Sequence, residues 1–592
     1  MAEAALAGDP FRTSTSVFEL ESQRPDSDSD ERSARFRLPA WWPSERWMLV
    51  GLVVLVALPP LLLALSSLGS GWLPVDTDRA AMFLRTREVG TSRTPLVGAY
   101  SRYGWDHPGP LLFWVCAPAV RLFGPEGLLF TAGLVNATAA ATAVWAAHRI
   151  GRLALAAPTA VAVAVLMHAI TLWGLVEPWN PYVAALPFVA YLICVWGAAN
   201  GDRVLLPLAV VAGSWSTQAH LSYVPMTLAA AGLALAWRLG HRLAWRRRRR
   251  RQDRIPPESA VIPRAWLAGA AIVGFLLWLP PLTDQVSKPH GNLEALLFFA
   301  RTGIAPDGTE SKPIGLDQAL PAVGGLFGPN GAWMHSTADP KGFLLPPEGS
   351  FPTALVLMAV FAVVGILAWN RGHHRAAGLI GMALSLEGLS VVAIAHTADD
   401  LLGYLLRWAW GIAALGWIAA AWAVLELIGP RWRQLVPTLA CLAVVALGFF
   451  TLGDGLVPDF RDNPGVAAVD EMSDQLLAQL DPDVTYLLNV EQSDWYYLVM
   501  PGIAANLIAH GQPIVVNGGL RNMFKDWLIA DSHPYPEVVI LPSDIAVTWQ
   551  PLHPAATRIA TYTPRSPAEL ADPLFTPHDA WLVPADRPPS GF

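Results

Sequence analysis

The sequence predicts an all-α polytopic membrane domain of about eleven transmembrane helices, followed by a small C-terminal α/β domain. Three observations predict it. Of the 592 residues, 53% are hydrophobic and only 15% are charged, which is more apolar surface than a soluble chain of this size can hide. Apolar runs of bilayer-crossing length, about 17–25 residues, recur between Trp47 and Leu452. Beyond Leu452 the pattern changes to short β-type runs alternating with helix-like segments, as in an α/β domain.

Taken in order, residues 1–45 are polar, carry the acidic stretch Asp26–Glu31, and read as a disordered cytoplasmic tail without a cleavable signal. Spans are expected near 47–68, 127–147, 154–171, 182–199, 203–221, 223–240, 263–281, 352–369, 376–396, 403–427 and 435–452. The apolar piece Gly109–Phe123 is short, interrupted by Pro118, and carries Arg121. Arginine placement decides its role. If it spanned the membrane, His148–Arg152 and the hexa-arginine run Arg246–Arg251 would both lie outside the cell. If it lies along the outer surface, the tail, His148–Arg152, Arg246–Arg251, Arg371–Arg375 and Arg431–Arg433 are all cytoplasmic. The second arrangement satisfies the positive-inside rule at five places. The membrane domain, residues 46–452, then carries large external loops at 69–126 and 282–351, and residues 453–592 form an extracytoplasmic domain. There the expected strands are Val484–Val490, Ile514–Asn517 and Val538–Leu541, and the expected helices Ala468–Leu480 and Trp495–His510. The implied location is a plasma (inner) membrane.

Composition also excludes classes. The formal charge of −7 is no nucleic-acid signature, and an arginine run between apolar spans is a topology signal at anionic headgroups rather than an RNA site. Cys116, Cys194 and Cys441 all lie in apolar segments, so no disulfide framework is implied. Neither a glycine-rich phosphate loop nor a Ser-His-Asp arrangement occurs.

Chemistry-bearing residues gather in the first external loop. Asp76 and Asp78 follow the first span, and Arg102, Trp105, Asp106 and His107 form a dense polar and aromatic patch after them. A carboxylate held against apolar surroundings acquires the pKa of a general base for a hydroxyl. Set against that, any single loop acid is more often a solvated surface charge; the pair beside Trp105 and His107 tips the balance. Arg407 is placed about one and a half turns inside the tenth span, a depth at which an arginine is costly unless it meets an anion such as a lipid phosphate; snorkelling, or pairing with Asp399 or Asp400, is the competing account. Asp284 opens the third external loop, before a second surface helix at Asn292–Ala300. Glu387 falls in mid-span. Asp76, Asp78 and Asp106 have the hard oxygen donors that suit Mg or Mn, although no metal motif is present.

The stretch Trp105-Asp106-His107-Pro108-Gly109-Pro110-Leu111-Leu112-Phe113, ending in Arg121-Leu122-Phe123-Gly124 and preceded by an acid after the first helix, resembles the GT-C superfamily of membrane glycosyltransferases. It is most similar to the protein O-mannosyltransferase and aminoarabinose-transferase branch, which carries a His/Lys-Pro-Pro-Leu segment at this place; here Gly109 replaces the second proline. The resemblance extends over about residues 45–300. It implies a polyprenyl-phosphate sugar donor, a glycan, lipid or protein acceptor at the external face, and a base or metal-ligand role for Asp78, with Asp76 second. A transporter or flippase of lipid-linked saccharides is the alternative, but paired halves with broken helices are not evident. A non-catalytic cell-envelope assembly subunit is a third reading.

Overall fold

The computed structural model describes residues 44–252, 262–335, 346–428, 430–453, 455–456, 460–521 and 523–585. All but the last two residues of the expected tail lie outside the described residues, as does 336–345 of the third external loop. In chain order the helices are α1 (Glu45–Ser66), α2 (Thr77–Glu88), α3 (Leu111–Phe123), α4 (Glu126–Gly151), α5 (Leu153–Val176), the single turn α6 (Asn180–Val183) leading into α7 (Ala185–Ala199), α8 (Leu205–Ala219), α9 (Val224–Gln252), α10 (Arg264–Ser287), α11 (Asn292–Thr302), α12 (Gly315–Phe327), α13 (Phe351–Asn370), α14 (His374–Ala395), α15 (Arg407–Ile428) and α16 (Pro430–Thr451).

Every expected span falls on one of these helices. Among the described residues eight segments are long and apolar enough to cross a membrane: α1, α4, α5, α6–α7, α10, α13, α14 and α15 with the turn before it. The chain is a multi-pass membrane protein. Three expected spans depart from that standard. Helix α8 has only 15 residues, the apolar part of α16 is Leu435–Thr451, and α9 carries Arg238, His241 and Arg242 before the arginine run. Helix α3 has 13 residues, a rise of about 20 Å, and so is too short for a hydrocarbon core of about 30 Å. It lies against α2, α4 and α8 and turns Trp114, Val115, Leu122 and Phe123 outward.

The bundle is built on α1, α4, α5 and α7. Helix α1 packs on α4, α5 and α16; α4 also packs on α5 and α7; α15 joins α5, α7 and α14. Small residues allow the closest approach, as expected where lipid supplies no hydrophobic drive between helices. A Cβ at Gly133 of α4 would lie 2.7 Å from the Ala64 Cβ and 2.8 Å from the Pro60 carbonyl of α1. The expected span 154–171 stops where α5 breaks, at Thr171 with φ +73; helix then resumes to Val176.

The two ends of the bundle differ chemically. At one end Glu45 meets His148 at 3.0 Å and Arg152 at 2.7 Å, Arg149 meets Asp202 at 2.7 Å, and His373 meets Glu426 at 3.3 Å. The Arg246–Arg251 run continues α9 at this same end. The opposite end carries α2, α3, the α5–α6 turn, the α8–α9 turn, α11 and the C-terminal segment.

After α16 come α17 (Pro464–Gln479), β1 (Tyr486–Val490), the turn α18 (Trp495–Leu498), α19 (Met500–Ala509), β2 (Ile514–Val516), β3 (Glu537–Pro542), α20 (Ser543–Trp549), β4 (Thr557–Tyr562), α21 (Pro567–Ala571) and β5 (His578–Val583). They form one five-stranded sheet in the order β2-β1-β3-β5-β4. Strand β1 pairs parallel with β2 and β3, while β5 runs antiparallel to β3 and β4. The three expected strands are β1, β2 and β3; β4 and β5 were not anticipated. The expected helix Trp495–His510 is divided at Val499 (φ −134, ψ −46), because Pro501 enters the first turn of α19 and cannot donate to a continuous helix. Trp495, Met472, Leu476, Ile503, Val538, Ile540 and Tyr562 fill the core.

The sheet domain is docked on the loop between α1 and α2. Gly502 N–H donates to the Val75 carbonyl at 3.0 Å, and the Thr77 hydroxyl donates to the Tyr497 carbonyl at 2.6 Å. A Cβ at Gly502 would lie 2.5 Å from the Pro74 carbonyl, so only glycine fits the seam.

Candidate active site

Helix α2 begins at Asp76, whose carboxylate caps it by accepting from Arg79 N–H at 3.1 Å. That cap satisfies an otherwise orphaned helix donor. The Arg79 guanidinium also donates to Asp76 Oδ2 at 2.7 Å and to Glu177 Oε2 at 3.0 Å. Glu177 is buried, and its other oxygen accepts from Trp179 N–H at 3.1 Å. One arginine therefore clamps the start of α2 to the α5–α6 turn. Burial works against its charge, but Glu177 and Asp76 outweigh that and hold it protonated.

Asp78 is placed differently. It is half-buried, and its Oδ1 accepts the Tyr100 hydroxyl. Tyr100 reaches it from a short antiparallel bridge with Asp106, closed by a turn with Gly104 at φ +78. Burial pushes the Asp78 carboxyl above the usual range; the Asp76 charge adds to this, while the Tyr100 hydrogen bond and Arg79 oppose it.

Beside these acids stands a wall of rings. Trp179 stacks on Tyr182 with centroids 5.5 Å apart and lies 4.7 Å from Tyr404, and the Arg79 guanidinium sits 5.7 Å over Trp179. Arg407 is buried, donates to the Tyr182 hydroxyl at 2.8 Å, and lies 3.9 Å over the Trp410 ring. It stands at the first residue of α15, after a 3-10 turn at Gly403–Leu406, and not one and a half turns into an α-helix. Asp76, Asp78 and Arg407 are thus gathered through Trp179 and Tyr182 at one end of the bundle. Arg79, Tyr100, Tyr182 and Tyr404 join them without having been singled out from sequence. Only the i, i+3 spacing of Asp76 and Arg79 announced one of these contacts.

The remaining candidates hold the surroundings. Asp106 receives Lys525 Nζ of the sheet domain at 2.8 Å on both oxygens, and its backbone exchanges two 2.8 Å hydrogen bonds with the Asn292 side chain. Asp284 is buried, accepts Asn292 N–H at 3.0 Å, and meets Lys288 at 2.6 Å; it fixes the start of α11. His107 is buried and accepts Leu221 N–H at 3.1 Å, and its ring lies 4.3 Å from that of His220. Burial, with His220 adding to it, keeps His107 neutral well below the usual imidazole range. Arg102 stands at the rim, 3.6 Å from Asp400 and stacked over Tyr103. Trp105 is enclosed by Tyr103, His107 and Phe299, and among the described residues its buried indole N–H meets no acceptor. The Gly109 substitution also has a cause: a Cβ there would lie 2.1 Å from Gln218 Oε1.

The three acids considered as metal ligands do not assemble as a set. Asp76 is spent on Arg79 and Asp106 on Lys525. Among the described residues no three His, Cys, Asp or Glu side chains are grouped to hold an ion.

No family model matches this chain, and no curated protein matches it. Solved structures do. The chain is similar to ArnT from Cupriavidus metallidurans bound to undecaprenyl phosphate, with TM-score 0.47 and 14% identity over 91% of this chain and 98% of that one. It is also similar to the archaeal oligosaccharyltransferase AglB from Archaeoglobus fulgidus, in complex with an inhibitory peptide and a dolichol-phosphate (TM-score 0.39, 12% identity, 88% and 74% covered). A third is the mycobacterial arabinofuranosyltransferase AftD (TM-score 0.43, 17% identity), of which 93% of this chain matches 40% of that chain.

Proposed function

We propose that this chain is a membrane glycosyltransferase that moves a sugar from a polyprenyl-phosphate donor to a glycan, lipid or protein acceptor outside the cell. The observation that carries the reading is the unequal use of three neighbouring acids. Asp76 and Glu177 are both bound to Arg79, whereas Asp78 is held by a tyrosine hydroxyl and faces the aromatic wall. A half-buried carboxylate with a raised pKa is suited to take a proton from a hydroxyl.

In the proposed reaction Asp78 accepts the proton of an acceptor hydroxyl as that oxygen bonds to the anomeric carbon. The bond from that carbon to the phosphate oxygen breaks, and its electron pair leaves with the lipid phosphate. Arg407, set in its ring of aromatics at the level of the helix ends, is the proposed cation for that developing charge. The Trp105 indole N–H is a donor that a sugar hydroxyl would satisfy. The external placement of this end rests on the positive-inside rule applied to the arginine-bearing opposite end.

The test is donor consumption by purified protein supplied with radiolabelled polyprenyl-phospho-mannose or -arabinose. Asp78→Asn is expected to slow transfer by about 10²–10⁴-fold, the contribution of a positioned base. Consumption of neither lipid would favour the transporter reading, and transfer unchanged in Asp78→Asn would remove the base assignment.

A further inference from the structure

A cavity of about 190 Å³ opens where the end of α2 meets the sheet domain. Leu84, Ile508 and the Trp527 indole give it an apolar lining, and Arg87, Arg93 and Thr91 stand around it. The Arg93 guanidinium lies 4.1 Å over the Trp527 ring. Arg87 is exposed and donates to the Ala509 carbonyl at 3.3 Å. Glu88, the one acid in the lining, is buried, binds Arg85 through one oxygen and also feels the Arg93 charge, one acid against the two lining arginines Arg87 and Arg93. The charge left facing the cavity is therefore positive. An apolar lining crossed by an aromatic ring, with arginines and a hydroxyl above it, suits a ring whose C–H edges pack while an attached anion meets guanidinium. A bare phosphate would have no use for the apolar lining.

Glu88 follows Asp78 by ten residues on the same helix, about 15 Å of rise. One sugar ring cannot occupy both places. We propose that this cavity binds an anionic sugar of the acceptor, so that the acceptor is an acidic oligo- or polysaccharide held by its distal part while its end reaches Asp78. The proposal rests on the glycosyltransferase reading and assigns the sheet domain a share in acceptor recognition.

Calorimetric titration of the full-length protein in detergent tests it, with hyaluronan tetrasaccharide and glucose 6-phosphate as acidic probes, chitotetraose as the neutral control, and short-chain phosphatidylglycerol as the lipid-headgroup control. Saturable binding of an acidic probe is expected, with chitotetraose weaker by about tenfold or more, the scale of one charge-assisted contact. Arg93→Gln, a change at an exposed position, is expected to weaken the acidic probe about tenfold. Absence of binding by both acidic probes, or equal binding by wild type and Arg93→Gln, overturns the proposal. Binding of phosphatidylglycerol alone overturns it too and assigns the cavity to a lipid headgroup. Because binding needs no donor, failure here leaves the donor-consumption result standing, and the converse holds.

Discussion

At the scale of single residues, three acids within one site are held in different ways. Asp78 was legible because two carboxylates at the mouth of a helix are unusual. Its partner Tyr100 was not, since the bond depends on a hairpin turn that no local pattern specifies. Asp106, His107 and Asp284 were also candidates in sequence, yet each is held by a neighbour. The Asp106 partner, Lys525, lies 419 residues away, beyond any spacing rule. Two predictions belong here. The carboxyl of Asp78 is held up by burial, so a rate that needs its ionised form should fall, as pH is lowered, through a pKa above the ordinary aspartate value of about 3.9. A pH–rate profile whose acid limb sits at the ordinary value would refute that. The same shift means that ionised Asp78 costs more in the folded protein than in the unfolded one. This cost is absent below the unfolded pKa and full above the folded one. At pH 7.5 Asp78→Asn should therefore melt no lower than wild type while losing transfer. Arg79→Leu should behave oppositely and lose about 3 kcal/mol, because Glu177 keeps a buried charge without its cation; thermal melting in detergent would show it.

At the scale of elements, long apolar periodicity read well and short structure read poorly. Each expected span found its helix, since a bilayer-length apolar run has few other uses. The break in α5 at Thr171 and the 3-10 turn before Arg407 escaped because local backbone departures leave little compositional trace. Strands β4 and β5 escaped because seven of the twelve residues in Thr557–Tyr562 and His578–Val583 are polar or small, which leaves no long apolar run to mark them. Gly502 marks where two elements meet too closely for any side chain. Gly502→Val should push the sheet domain off the Pro74–Val75 backbone and cost about 1–3 kcal/mol, as overpacking does. The expected reading is faster proteolysis near residue 460 together with weaker transfer; cleavage at the wild-type rate would show that the seam tolerates a side chain.

At the scale of the whole molecule, the arginine pattern in the loops foretold a chemical division that the bundle displays, with ion pairs among Glu45, His148, Arg152 and Arg149 at one end and the aromatic site at the other. Which end faces which compartment can be read by labelling. With Cys116, Cys194 and Cys441 replaced by serine or alanine, Arg102→Cys should react with a membrane-impermeant maleimide on intact cells, and Arg371→Cys only after the membrane is opened. The reverse pattern would place the aromatic site in the cytosol and leave an external lipid-linked donor out of reach.

The seam between the last fifth of the chain and the loop after α1 also bears on biosynthesis. The residues flanking Asp76 lean on Tyr497 and Gly502, and Asp106 leans on Lys525, all of which leave the ribosome after every membrane helix. The loop around Asp76 and Asp106 therefore gains these supports only when translation is nearly finished, and a truncated product would insert its helices into the bilayer with that loop unbraced.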